Sequence, residues 1–229
     1  MRDALVAPAA IVGTLLVYAG ALRLRRAVPS AVLNPALVSM IAVAGALLLL
    51  RVDYGTYDRG GRLLTWLLGP AVVALAVPLA AEWEAIARQR RAIVTSLALG
   101  SAVGIVSACG VAWLLGGTRE VILSLAPRSV TTPIAMGIAA KLGGIPPLSA
   151  VLVISTGALG AIVGPRMLRA LGVRSRTATG LALGAAAHGV GTARALEEGE
   201  REGAAAGLAI GIMGLLTAVL APLLAWIFV

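Results

Sequence analysis

The stretch GLALGAAAHGVGTAR (180–194) decides how the chain is interpreted, because it places polar groups inside an apolar segment. It contains the only histidine of the sequence, His188, followed by Gly189, Gly191, Thr192 and Arg194. Polar side chains and irregular backbone at membrane depth are costly unless they face a protein interior or a water-filled cavity. We therefore expect a broken helix and a functional site in this stretch.

The composition of the chain is that of a membrane protein. Hydrophobic residues make up 59% of the 229 and charged residues 13%, and the mean hydropathy is +0.97. In a soluble domain the charged residues alone amount to about a quarter. Continuous apolar runs predict helices, whereas a β-barrel would show short alternating segments. We expect an all-α, multi-pass protein of the bacterial inner membrane, with about six to eight membrane segments.

The charge pattern sets topology and excludes several classes of function. The net charge is +9, and basic residues cluster between apolar runs at 23–26, 82–91 and 166–176, as in cytoplasmic loops. No basic face is interleaved with aromatic residues, so we expect no nucleic-acid partner. One cysteine and no metal-ligand spacing predict neither a metal nor another cofactor. No nucleophile–base pair or phosphate loop supports an enzyme.

The apolar runs predict the spanning helices and two places where helices break. Spanning helices are predicted at 4–22, 31–50, 63–81, 92–115, 148–163 and 204–228. Polar loops are expected at 51–62 and 166–176, and helix interruptions at Pro29, Asn34-Pro35, Gly69-Pro70, Pro78 and Gly164-Pro165. Between residues 118 and 147 the pattern predicts only short helices, over 120–125 and 133–142. We therefore expect a scaffold over 1–117 and a transport half over 118–229.

A second broken segment, SVTTPIAM (129–136), complements the histidine stretch. A proline in the first helical turn, preceded by hydroxyl residues, predicts a helix start at Pro133. Helix ends at membrane depth can hold an anion through free N–H groups and the helix dipole. The predicted substrate-binding residues are Ser129, Thr131, Thr132, Pro133, His188, Gly189, Gly191, Thr192 and Arg194. The alternative is that both segments are packing kinks, in which small residues allow helices to approach closely.

Two internal matches indicate a possible inverted-repeat architecture. LGPAVVALAVPL (68–79) is similar to LAPRSVTTPIAMGI (125–138), and SLALGSA (96–102) is similar to GLALGAA (180–186). A duplicated transporter scaffold, with paired broken helices meeting at the membrane midplane, would give such matches. Chance similarity between helices rich in small residues would also give them. The sequence leaves both explanations open.

The two broken segments also carry a family resemblance. Residues 129–165 and 180–209, together with GPAVVALAVPL (69–79) and the Tyr54-x-x-Tyr57 loop, resemble the LrgB/CidB family of bacterial membrane proteins. The plant plastidial glycolate/glycerate translocator contains a similar region. One departure is Ala186-Ala187, where the resemblance would place a serine before the histidine.

The resemblance implies two functions of different classes. One is transport of a small monocarboxylate such as glycolate, glycerate or pyruvate, by a protein that we expect to be a homodimer. The other is a holin- or antiholin-like role in murein hydrolase export and cell lysis, together with an LrgA/CidA-type membrane partner. We expect the first, with a small carboxylate bound between the two broken segments.

Overall fold

A computed structural model describes residues 2–28, 33, 35–74, 77, 80 and 83–229. Within these residues the regular structure is helical and contains no strand, so the all-α prediction is confirmed. Of the described helices, four are long and apolar enough to cross a membrane: Pro8–Ala27, Arg90–Leu114, Pro146–Ala170 and Glu200–Phe228. The chain is therefore a helical membrane protein, since about 20 apolar residues suffice to span the bilayer core.

Contacts divide the chain into two units, Met1–Ala74 and Leu75–Val229. The first unit consists of α1 (Arg2–Ala27), α2 (Pro35–Leu49) and α3 (Tyr54–Ala74), with α1 packed against the other two helices. The second unit contains every residue predicted to bind substrate. The division into a scaffold over 1–117 and a transport half over 118–229 concerns roles, and it stays a prediction.

In the first unit, one predicted loop turns out to be mostly helical. The stretch 51–62 is a loop only at its beginning, because α3 starts at Tyr54 and continues through Pro70 to Ala74. The Asp53 carboxylate accepts a hydrogen bond from the backbone N–H of Thr56 at 3.0 Å, which is how a capping residue stabilises a helix start. The helix α2 begins at Pro35, while the predicted interruptions at Pro29, Asn34 and Pro78 lie outside the described residues.

The second unit is built from seven helices in the described part of the chain. They are α4 (Trp83–Arg88), α5 (Arg90–Leu114), α6 (Arg119–Leu125), α7 (Thr132–Leu142), α8 (Pro146–Ala170), α9 (Arg176–Glu198) and α10 (Glu200–Ala225), and a 3-10 turn over Trp226–Phe228 follows. The short helices predicted at 120–125 and 133–142 are confirmed as α6 and α7. The prediction that Gly164-Pro165 ends a helix is wrong, because α8 continues to Ala170. A proline removes one helical hydrogen bond, and it can kink a helix without ending it.

The helices α6 and α7 form a hairpin that enters and leaves at the same end of the unit. The backbone N–H of Ile145, which follows α7, donates to the Ser124 hydroxyl at 2.7 Å, near the end of α6. The turn between the two helices reaches Arg128, which contacts the carbonyl of Gly104. Since Gly104 lies near the middle of α5, the hairpin penetrates to about half the depth of a spanning helix.

The helix α9 is a second hairpin, folded back on itself at His188. The backbone there is non-helical (φ 41°, ψ −126°). Gly191 then lies directly against the carbonyl of Leu183, although eight residues of continuous helix would separate them by about 12 Å. The tip of this hairpin contacts Val153 and Gly157, in the middle part of α8.

The two hairpins enter the second unit from opposite ends. The ends of α9 lie beside the C-terminus of α8, where Glu198 is 3.7 Å from Arg169. We call this the basic end, because it carries Arg90, Arg91, Arg166, Arg169, Arg174, Arg176 and Arg201. The α6–α7 hairpin enters from the other end, which we call the far end; it carries Arg119 and Lys141.

Small residues allow α9 and α10 to pack in close contact. A side chain at Gly180 would collide with the backbone of Glu202, and one at Gly184 would collide with the backbone of Ala206. In a membrane, helix association depends on such close packing, because lipid is as apolar as the side chains. The glycines of α9 therefore fix the position of the second hairpin.

We expect Gly184→Ala to lower the thermal stability of the purified protein, with a cost of about 1–3 kcal/mol for overpacking against the Ala206 backbone. The matched control is Gly211→Ala on α10, where an added methyl group meets nothing within 4 Å. Unfolding followed in detergent should show a lower Tm for the first variant only. Equal melting temperatures would contradict close packing at Gly184.

Candidate functional site

The tips of the two hairpins border one cavity of about 460 Å³ in the second unit. Ser129 contributes from the first hairpin, and Ala185 and Ala186 contribute from the second. The remaining wall includes Gly104 of α5 and Thr156 of α8. The cavity therefore lies at mid-depth, between the two segments in which the sequence predicts a binding site.

Arg128 supplies the positive charge of this cavity, although it is not among the residues predicted from the sequence. Its side chain is half-buried and lines the cavity, and Nη1 donates to the carbonyl oxygen of Gly104 at 2.7 Å. Within the described residues, no carboxylate lies within 4.0 Å of its guanidinium. The available signal was an arginine between Pro127 and Pro133 in an otherwise uncharged stretch.

The predicted helix start at Pro133 is confirmed. Thr131 precedes the helix in an extended conformation, and Thr132 is the first residue of α7. The first N–H groups of a helix have no partner within the helix, so this end carries a partial positive charge. Thr131, Thr132 and Pro133 do not border the cavity themselves, but they directly follow Arg128 and Ser129, which do.

His188 holds the tip of the second hairpin in place. Its Nε2 lies 3.0 Å from the carbonyl oxygen of Val153 and must donate, because a carbonyl can only accept. The carbonyl of His188 in turn accepts from the Thr192 hydroxyl at 3.0 Å. A side chain at Gly157 would reach the imidazole ring, so glycine is needed there. These contacts are those of a structural turn at the edge of the cavity.

Arg194 lies away from the hairpin tips. Its guanidinium is 2.7 Å from Glu197 Oε2 and also pairs with Glu198. Gly191 packs against Leu183, and Gly189 is exposed. Of the nine predicted site residues, the structure thus places Ser129 at the cavity and the threonines and Pro133 beside it. His188 and Thr192 support the turn, and Arg194 lies near the basic end.

The two stretches matched as a possible repeat lie on the same cavity. SLALGSA (96–102) supplies Leu97 and Gly100, and GLALGAA (180–186) supplies Leu181 and Ala182. Gly100 and Ala182 are small residues and leave room for the cavity. The cavity wall accounts for their similar composition without settling whether the stretches are duplicated.

Comparison with known proteins agrees with the sequence resemblance. Residues 14–227 match the model of the LrgB-like family. The chain belongs to the LrgB-like family. It is 36% identical to the protein YxaC of Bacillus subtilis, covering 100% of this chain and 99% of that protein. It is 32% identical to the holin-like proteins CidB of Staphylococcus epidermidis and Staphylococcus aureus, over the full length of each. No solved structure gives a significant match.

We expect Thr192→Val to destabilise the second hairpin, because it removes a buried hydrogen bond to the carbonyl of His188 at the reversal. One such hydrogen bond contributes about 0.5–1.5 kcal/mol to stability. The control is Thr95→Val, whose exposed hydroxyl bonds only to carbonyls of its own helix. Hydrogen exchange should become faster around residues 185–192 in the first variant alone. Unchanged exchange there would contradict a turn held by Thr192.

Proposed function

We propose that this protein carries small monocarboxylates of the 2-hydroxy or 2-keto type across the membrane. The observation that supports this proposal is Arg128, a half-buried cation without a carboxylate partner in the described part of the chain. It lies where two hairpins from opposite ends meet at a cavity. Paired broken helices around a site near the midplane are typical of secondary transporters.

Electrostatics favour an anion at this position. Burying a charge costs several kcal/mol unless it is paired, and one backbone carbonyl offsets only part of that cost. A carboxylate can pair with a guanidinium through two parallel hydrogen bonds, which is the stronger arrangement. The cavity beside Arg128 is therefore better suited to a carboxylate than to a cation or a neutral solute.

Each part of the site has a role in the proposal. Arg128 binds the carboxylate, and the N-terminus of α7, with Thr131 and Thr132, adds partial positive charge and hydroxyl groups. Ser129 and Thr156 are positioned to bond the 2-hydroxyl or 2-keto oxygen of the substrate. The predicted residues of the second hairpin act indirectly, by holding this hairpin against the cavity. They are His188, Gly189, Gly191, Thr192 and Arg194.

The proposal extends to location and assembly. Arginines are concentrated at the basic end of the second unit, which the positive-inside rule assigns to the cytoplasm. The far end would then face outward from a bacterial inner membrane. We propose a homodimer, as the sequence analysis expects.

Uptake of labelled glycolate or pyruvate into proteoliposomes tests this function. We expect saturable uptake by the wild type, and Arg128→Gln should raise KM by about tenfold to a hundredfold. A hydrogen bond to a charged group contributes about 1.5–3 kcal/mol, which corresponds to that range. Labelled glycerol, a neutral solute, should not be carried.

The control for this variant is Lys141→Gln, which removes an exposed cation from the last turn of α7, in the same hairpin. We expect uptake by this variant to equal that of the wild type. Equal losses in both variants would indicate a general effect of net charge. Wild-type uptake by Arg128→Gln would remove Arg128 from the site.

A second function is favoured by the name of two relatives, holin-like protein CidB. A holin-like protein would act in the membrane with an LrgA/CidA-type partner and control murein hydrolase export. Leakage of unrelated solutes that depends strictly on the small partner would support this alternative. Saturable and competable uptake by the purified protein alone would support the carrier.

A further inference from the structure

A second cavity, of about 590 Å³ and widely open at its surface, borders Arg128 on the other side. Its lining includes Ser107, Val111 and Leu115 of α5, so it extends from mid-depth towards the far end. The cavity described above extends towards the basic end, where it is lined by Ser96 and Leu97. The two cavities lie along the same helix, and we call them the far-end cavity and the basic-end cavity.

Among the residues that the structure describes, Arg128 is the one that lines both cavities. Its Nη1 bonds to the carbonyl of Gly104, which is the α5 residue of the basic-end cavity that lies nearest to the far-end cavity. The Ser107 hydroxyl donates to the same carbonyl at 3.2 Å. The guanidinium is thus anchored on the backbone of α5 at the level where one cavity ends and the other begins.

We propose that Arg128, anchored on the Gly104 carbonyl, is the barrier between two water-filled cavities that together form the translocation path. The bond to Gly104 closes the path in the structure described here. An anion that pairs with the guanidinium replaces that carbonyl as its partner, and the side chain then leaves the constriction. The anion step rests on the proposed function, whereas the barrier itself does not.

A cationic barrier also accounts for charge selection. A fixed positive charge at the narrowest point of a path attracts anions and raises the electrostatic barrier for cations, including protons. The carbonyl of Gly104 is a weaker partner than a carboxylate, because it carries no full charge and cannot form the two parallel hydrogen bonds of an arginine–carboxylate pair. Exchange of the partner is therefore favourable only for an anion.

Cysteine accessibility tests the barrier without requiring transport. In a Cys109→Ala background, Ser107→Cys reports on the far-end cavity and Ser96→Cys on the basic-end cavity. Ser155→Cys is the control, since Ser155 is an exposed residue of α8 that lines neither cavity. The probe is a membrane-impermeant anionic methanethiosulfonate, added to the outside of intact cells, and its reaction requires water at the thiol.

We expect Ser107→Cys to react, and Ser96→Cys and the Ser155→Cys control to remain unmodified. Adding Arg128→Ala should raise the reaction rate of Ser96→Cys by about tenfold or more, because the path is then open to small solutes. Arg128→Lys keeps a charge at the constriction and should raise that rate less. Thermal unfolding in detergent identifies an Arg128 variant that fails to fold. If only one of Arg128→Ala and Arg128→Lys folds, the reaction rate of Ser96→Cys in that variant decides the test.

Three results would overturn the barrier. The first is an unreactive Ser107→Cys, which would mean that the far-end cavity holds no water. The second is fast reaction of Ser96→Cys from outside in the presence of Arg128. The third is a Ser96→Cys rate that does not respond when Arg128 is replaced in a folded variant.

Millimolar glycolate separates this inference from the proposed function. If both are right, glycolate changes the reaction rate of Ser96→Cys in the presence of Arg128. A barrier that responds to Arg128→Ala but not to glycolate or pyruvate would count against the carboxylate carrier and leave the barrier standing. Saturable uptake of glycolate, together with a Ser96→Cys reaction rate that does not respond to replacement of Arg128, would support the carrier and count against the barrier.

Discussion

The structure of the second unit depends on satisfying backbone groups where the chain reverses inside the membrane. Lipid offers no hydrogen bonds, and each unsatisfied group there costs several kcal/mol. At the tip of α9 the carbonyl of the buried His188 accepts a hydrogen bond from the Thr192 hydroxyl, and the imidazole ties the turn to the carbonyl of Val153. The only histidine of the chain is thus a structural clamp between the second hairpin and α8.

These contacts of His188 explain why so many small residues surround it. The imidazole fits because Gly157 has no side chain, and the returning half of α9 fits because Gly191 can lie against Leu183. On the opposite side, Gly184 lets α10 approach to backbone contact. A hairpin held this closely by α8 and α10 presents its alanine face, at Ala185 and Ala186, to the cavity.

The sequence predicts where the chain breaks better than how it folds at the breaks. Pro133 after two threonines is a local signal, and it marks the start of α7. The reversal at His188 depends on contacts with α8 and α10, which are distant in sequence, so the stretch could be identified only as broken. The pairing of Arg194 was available in the sequence, because carboxylates three and four residues later lie on the same helix face. The anchor of Arg128 was not, since its partner is a backbone carbonyl in another helix.

The choice of a carbonyl as the partner of Arg128 has a functional consequence. A carboxylate there would neutralise the guanidinium permanently, and an incoming anion would have to displace a partner of equal charge. The Gly104 carbonyl orients the cation but leaves its charge uncompensated within the described part of the chain. The cost of burying that charge is then relieved when an anion binds. Under the proposed carrier function, the most favourable occupant of this site at mid-depth is the anion that has to pass it.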